Sequence, residues 1–120
     1  MKVAFTSQGD NLDSEFDQRF GRAMYFIIYD TETNESQTLE NMAGVESAHG
    51  AGISAAKKLV DAKVEALVTG NCGPNAFNVL AGNDIKIYLS NSKTVREAIE
   101  ELNGGRLQIS NSPTKGGHWR

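Results

Sequence analysis

The sequence predicts a single α/β domain built on a mixed sheet, and three observations carry that prediction. The chain has 120 residues, of which 39% are hydrophobic and 22% charged, enough apolar material for one core and too little length for two. Short apolar runs alternate with segments of helical period from residue 51 onward, the pattern of parallel strands joined by right-handed crossovers. Ahead of them, Met24 to Tyr29 and the polar run Ser36 to Met42 flank a turn, which adds one antiparallel hairpin. The expected architecture is a mixed five-stranded sheet with helices on both faces. Residues 1–102 form the domain, and 103–120 are expected to be a flexible tail.

Val3-Ala4-Phe5 is a short apolar strand that feeds the loop Ser7-Gln8-Gly9-Asp10. Residues 7–22 read as polar loop, with room for a helical turn beginning at Asp13 or Ser14. Met24-Tyr25-Phe26-Ile27-Ile28-Tyr29 is dense in aromatic and branched residues and reads as a strand. Asn34 marks the turn that follows, and the polar partner strand belongs at the sheet edge. From Ala51 the period changes: Ile53, Ala56, Leu59 and Val60 share one helical face, with Lys57, Lys58 and Asp61 on the other. Ala66-Leu67-Val68 is a buried strand. Gly73-Pro74 opens a helix, proline being suited to the first helical position, and Gly82 is its expected stop. Ile85, Ile87 and Leu89 alternate as a strand. Thr94-x-x-Glu97 is a capping box ahead of Val95, Ala98, Ile99 and Leu102, and Asn103-Gly104-Gly105 ends that helix.

Composition narrows the function classes. A net charge of −3 without clustered Lys and Arg argues against a nucleic-acid face. A single cysteine, Cys72, allows no internal disulfide and suits a reducing compartment. Cys72, His49 and His118 are too few for a structural zinc site, which needs about four such ligands. No stretch approaches the ~20 apolar residues of a membrane span, and the start has no apolar h-region, so the expected location is the cytoplasm.

In open α/β sheets, ligands bind beyond the carboxyl ends of the parallel strands, near the point where strand order reverses. Three segments are expected to leave strands at that rim: Thr6 to Asp10, Thr69 to Pro74, and Ser90 to Ser92. The connection Gly44 to Gly52 is expected to approach the same rim. Thr69-Gly70-Asn71-Cys72-Gly73-Pro74 is a glycine-rich strand-to-helix turn, a generic anion site or simply a tight connection. It lacks the Lys and Ser/Thr of a P-loop. Cys72, near a helix start, is expected to have a lowered thiol pKa, which would make it a soft-metal ligand; the alternative is a small buried hydrophobe. His49, in Ser47-Ala48-His49-Gly50-Ala51-Gly52, is placed to bind a metal or donate to an anion, or else to sit solvated at the cap. Arg19 and Arg22 flank Phe20-Gly21 and either present guanidinium forks to an anion or pair with Asp13, Glu15 or Asp17. His118 and Trp119 either fold over a ligand or lie loose in the tail.

Taken together, Phe20-Gly21-Arg22-Ala23 followed by Tyr25-Phe26 and Tyr29-Asp30, then His49-Gly50-Ala51-Gly52, then Gly70-x-x-Gly73-Pro74-Asn75-Ala76, resemble the dinitrogenase iron–molybdenum cofactor-binding family. The start, from Lys2-Val3-Ala4 through Gly9-Asp10 to Leu12-Asp13, fits as well, so the resemblance covers about residues 1–102. It implies a ribonuclease-H-like fold and a carrier or scaffold, not a catalyst, for an iron–sulfur or iron–molybdenum type cluster. Residue by residue, it makes His49 the leading cluster ligand. It makes Arg22, Gly50, Gly52 and the turn carrying Gly70, Asn71, Gly73 and Asn75 candidates for contacts to the anion. Cys72 and His118 enter the metal set on local chemistry alone. The cysteine cluster of the family's radical enzymes (C-x-x-x-C-x-x-C) is missing, so the chain does not itself carry that assembly step. Cluster-assembly proteins are the candidate partners, and the unit is expected to be a monomer or homodimer.

Two other readings remain open from sequence. A protein-interaction or regulatory module would need no ligand of its own. A ribonuclease-H-like hydrolase would need Asp10, Asp13 and Asp30 to converge in the crevice.

Overall fold

The computed structural model describes residues 1–41 and 51–113. In chain order the elements are β1 (Lys2–Ser7), a 3-10 turn (Phe20–Arg22), β2 (Tyr25–Asp30), β3 (Ser36–Glu40), α1 (Ala51–Asp61), β4 (Ala66–Thr69), α2 (Pro74–Gly82), β5 (Lys86–Leu89), α3 (Val95–Asn103) and β6 (Gln108–Ile109). They build one sheet in the order β3-β2-β1-β4-β5-β6. β1 pairs antiparallel with β2 and parallel with β4, while β5 pairs parallel with β4 and antiparallel with β6.

The period-2 alternation of the strands explains why both faces are covered. Ala4, Phe26, Ile28, Leu67 and Ile87 pack with Ala55, Ala56 and Leu59 of α1 and with Ala76 and Leu80 of α2. Their sequence neighbours Val3, Phe5, Ile27, Ala66 and Val68 point the other way, against Val95, Ala98 and Ile99 of α3. Fully burying a residue such as Leu67 or Phe26 stabilises by about 1.5–3 kcal/mol, so a one-residue slip that turned these sets outward would forfeit most of the core.

Local chemistry ends the elements. In the β2–β3 hairpin Asn34 takes φ 61°, and its N–H donates to the Asp30 carbonyl at 2.8 Å. The Asp30 carboxylate accepts from the Glu32 N–H at 2.8 Å. At α3 the Thr94 hydroxyl accepts from the Glu97 N–H at 3.2 Å, and the Glu97 carboxylate accepts from the Lys93 N–H at 2.9 Å. The capping box therefore forms, reaching back one residue further than the usual pattern. Gly105, at φ 69°, turns the chain after α3.

Four expectations need correction. The sheet has six strands, not five: β6 lies inside the segment read as a tail, and past it the Ser110 N–H donates to the Ile87 carbonyl at 2.7 Å. A two-residue strand with both side chains exposed has no hydrophobic period, and backbone pairing alone makes it. α2 does end at Gly82 as expected, but the left-handed residue that closes it is Asp84, at φ 61°, and not the glycine. No helical turn begins at Asp13 or Ser14; the helical residues of that loop are Phe20–Arg22. The polar strand β3 ends at Glu40.

The chain enters the sheet at β1, goes to one side through β2 and β3, and returns on the other side at β4. The strand order therefore switches between β1 and β4, and their carboxyl ends frame the crevice.

Candidate functional site

The rim between β1 and β4 is made of buried polar groups that pair with one another. Thr6, Ser7 and Thr69 have no exposed surface. The Thr6 hydroxyl donates to the Asp17 carbonyl at 2.6 Å and lies 3.1 Å from the Thr69 hydroxyl. The Asp17 N–H donates back to the Thr6 carbonyl at 3.0 Å. An unpaired buried group of this kind costs about 1–3 kcal/mol, so these bonds dictate where the returning loop runs.

That loop then lies alongside the strand-to-helix turn. Arg19 pairs with Asn71 in a parallel bridge, the Phe20 N–H donates to the Asn71 carbonyl at 3.3 Å, and Asn71 Nδ2 donates to the Gln18 carbonyl at 2.7 Å. Phe20 is buried against Phe26, with ring centroids 5.6 Å apart, and anchors the 3-10 turn while Arg22 stays exposed.

Facing the turn are the first residues of two helices. A Cβ built on Gly52 of α1 would lie 3.3 Å from the Ala76 Cβ of α2, so the two helix starts touch. α2 has no side-chain cap at Gly73, and its first intrahelical bond runs from the Phe77 N–H to the Gly73 carbonyl at 2.9 Å. The Asn75 and Ala76 N–H groups thus have no intrahelical acceptor, and the helix end carries partial positive charge.

These pieces enclose a notch of about 380 Å³. Arg19 and Arg22 stand on one wall, Gly52 and Ile53 on the second, and Asn71 with Gly73 to Ala76 on the third. None of the described lining residues is acidic. Guanidinium groups and the N-terminus of α2, with no acidic side chain among the described lining, make a cradle for an anion.

Five of the residues singled out in the sequence, Arg22, Gly52, Asn71, Gly73 and Asn75, line this notch. Gly70 does not: it borders a separate crevice with Gln18, Ser90 and Glu101, and its lack of a side chain is steric. Cys72 corrects an expectation outright. Its side chain is 2% exposed, in the core cluster with Ala4 and Phe20, and burial pushes the thiol pKa up to about 12 instead of lowering it. The inward direction of the side chain removes it from water, and desolvation outweighs the nearby helix end. His49, Gly50 and His118 lie outside the described residues.

The carboxylates required for a hydrolase do not converge. Asp13 pairs with Arg96 at 2.8 Å, Asp30 sits at the opposite end of β1, 3.8 Å from the N-terminal amine, and Asp10 is exposed in the loop after β1. Among the described residues no three His, Cys, Asp or Glu side chains gather closely enough to hold a metal ion. What the sequence did not show is that Ile53 and Ala76, read as core-facing positions of their helices, line the notch, nor the role of Asp17, the carboxylate behind Arg19. Asp17 was visible only as one of three acidic residues near the arginines.

With the notch in place, the family can be assigned, since residues 1–105 match the dinitrogenase iron-molybdenum cofactor family. The chain belongs to this family. Two of the three motifs that carried the resemblance, around Arg22 and around Gly73, form opposing walls of the notch. Among solved members of this fold, the apo form of the orange protein from Desulfovibrio gigas is 36% identical, with a TM-score of 0.91 over 95% of this chain and 96% of that one. A NifB-like protein from Thermotoga is 40% identical, with a TM-score of 0.84 over 95% and 97%. An uncharacterised protein of Methanocaldococcus jannaschii is 29% identical over 90% of both chains. Family membership and these likenesses point to a metal-cluster-related carrier role. Among the described residues, no helix is long and apolar enough to cross a membrane.

Proposed function

We propose that this protein is a carrier or scaffold for an anionic metal–sulfur cluster of the iron–sulfur or iron–molybdenum type, held in the notch between the Arg19–Arg22 turn and the starts of α1 and α2. One observation supports this reading above the others: two arginines, the N-terminus of α2 and Gly52 and Ile53 of α1 share a cavity whose described lining has no acidic residue. Sulfide-bridged clusters are rich in acceptors and net negative, so they suit donors that hold the cargo from outside its coordination shell.

The residues present suit such a cargo in charge and in donor type. Arg19 and Arg22 balance its charge, and the Asn75 and Ala76 N–H groups orient it. His49, three residues before Gly52, is the proposed direct ligand. A cluster held mainly by such contacts can be handed on without breaking several protein–metal bonds, which favours transport over catalysis. The order β3-β2-β1-β4-β5 with one antiparallel hairpin supports counting the sheet among ribonuclease-H-like folds, used here as a frame and not as a nuclease. Cluster-assembly proteins in the cytoplasm are the proposed suppliers and recipients.

Anaerobic titration with tetrathiomolybdate, and separately reconstitution with iron and sulfide, tests the reading. Wild type is expected to retain metal through gel filtration with a charge-transfer absorbance, and Arg19→Ala/Arg22→Ala to lose it. His49→Ala should reduce the iron arm more than the thiomolybdate arm. Retention of the cargo by the double arginine variant would remove the notch from the proposal.

A further inference from the structure

Behind the notch lies a buried carboxylate, that of Asp17. The Asp17 side chain is 2% exposed, whereas the Arg19 side chain beside it is 62% exposed and lines the cavity. Asp17 Oδ1 accepts from the Arg19 N–H at 2.8 Å and faces Arg19 Nε at 3.4 Å. Its other oxygen, Oδ2, accepts from Gln8 Nε2. The Asp17 main chain is bonded in both directions to Thr6, so the carboxylate is anchored to the end of β1.

We infer that Asp17 is the positioning residue of the notch: it grips the Nε edge of Arg19 from behind and so aims the terminal guanidinium nitrogens at the anion. A free arginine side chain samples many rotamers, and holding one of them for a ligand costs conformational entropy on binding. A buried carboxylate that accepts from Nε lowers that cost beforehand and leaves the terminal guanidinium nitrogens directed at the ligand. Lysine has no second edge and cannot be held this way. The parallel bridge between Arg19 and Asn71 fixes the backbone from which the fork projects, so β1, Asp17, Arg19 and the start of α2 act as one unit.

The inference rests on the carrier reading, and its sign differs from that of simple electrostatics. Asp17→Asn removes a negative charge close to an anion site with almost no change of shape. Charge alone predicts tighter anion binding; positioning predicts weaker binding. A second difference separates positioning from a general role in loop structure. If Asp17 acts through Arg19, its substitution has no effect once the fork is gone.

The experiment is anaerobic titration of the full chain with tetrathiomolybdate, comparing wild type, Asp17→Asn, Arg19→Lys and the double variant. Arg19→Lys, on an exposed side chain, keeps the charge and the backbone bond and removes only the held edge. Each single variant is expected to weaken binding about tenfold, and the double variant no further than roughly twofold beyond Arg19→Lys. Should Asp17→Asn fail to fold, Arg19→Lys and the nitrogen-15 signal of Arg19 Nε in the wild type carry the test. That N–H should exchange more slowly than those of exposed arginines. Equal or tighter binding by Asp17→Asn, unchanged binding by Arg19→Lys, or a fast-exchanging Nε–H would each overturn the assignment while leaving the carrier reading in place. No binding by wild type would overturn both.

Discussion

Gly70 and Gln18 come together so closely that no side chain fits between them: a Cβ on Gly70 would lie 2.7 Å from both the Cα and the carbonyl oxygen of Gln18. The obstacle is backbone, held in place by Asn71 Nδ2 on that same carbonyl. Gly70→Ala must therefore push the loop bearing Arg19 off the rim. We expect it to destabilise by about 1–3 kcal/mol in urea denaturation and to weaken anion retention as a consequence. Gly73→Ala is the control. A Cβ there meets nothing within 4 Å and φ −69° suits any residue, so no loop has to move and the cost should be limited to that of an alanine at a helix N-cap, under about 1 kcal/mol. Equal effects at the two positions would contradict this division of labour.

Cys72 is expected to be unreactive while the protein is folded. With the thiol pKa pushed up to about 12 by burial, iodoacetamide at pH 8 should label it only after denaturant is added. Because the folded value is raised, the associated stability is intact below the ordinary thiol pKa of about 8.5 and is lost as pH climbs from there toward 12. Cys72→Ala should cost about 1 kcal/mol through lost packing and leave thiomolybdate uptake unchanged. Rapid labelling of the native protein would refute the inward placement.

Glu101 ties the loop after β5 to α3. The Ser90 and Ser92 hydroxyls donate to Glu101 Oε1 at 2.6 and 2.7 Å and hold its carboxyl below the ordinary glutamate range. The contribution of this contact to stability is thus present at neutral pH and disappears as pH falls through the lowered value. NMR titration should show the Glu101 pKa rising in Ser90→Ala/Ser92→Ala, and the stability lost between pH 7 and pH 3 should shrink in that variant. An unmoved pKa would mean the hydroxyls do not set it.

Thr94 caps α3 through the Glu97 N–H. Its replacement by alanine should cost about 1 kcal/mol by urea denaturation, with no change in anion binding, because α3 packs on the face of the sheet away from α1 and α2. Loss of binding in this variant would show that the notch depends on the far face.

Legibility followed the range of each interaction. The capping box at Thr94, the hairpin turn at Asn34 and the alternation of Val3, Ala4 and Phe5 are set by residues within a few positions of one another, and each is readable along the chain. The rim location of Gly73 and Asn75 was legible for a related reason: a glycine-rich turn after a parallel strand has only one end of the sheet to occupy. By contrast, Arg19 had three acidic neighbours to choose from. Only the bonds between Thr6 and Asp17 select the partner, by burying Asp17 beside it. Gly70 and Gly73 look alike in sequence, and a backbone fifty residues earlier in the chain makes one indispensable to packing and the other not.

By itself the sequence determined the alternation of strands and helices, the hairpin, the cap of α3 and the end of the sheet to which the glycine-rich turn runs, because periodicity and turn chemistry are local properties. Tertiary structure alone decided that β6 joins the sheet, that Cys72 turns into the core, and that Asp17 stands behind Arg19. Each of these depends on which distant backbone or side chain removes a group from water or supplies its hydrogen bond.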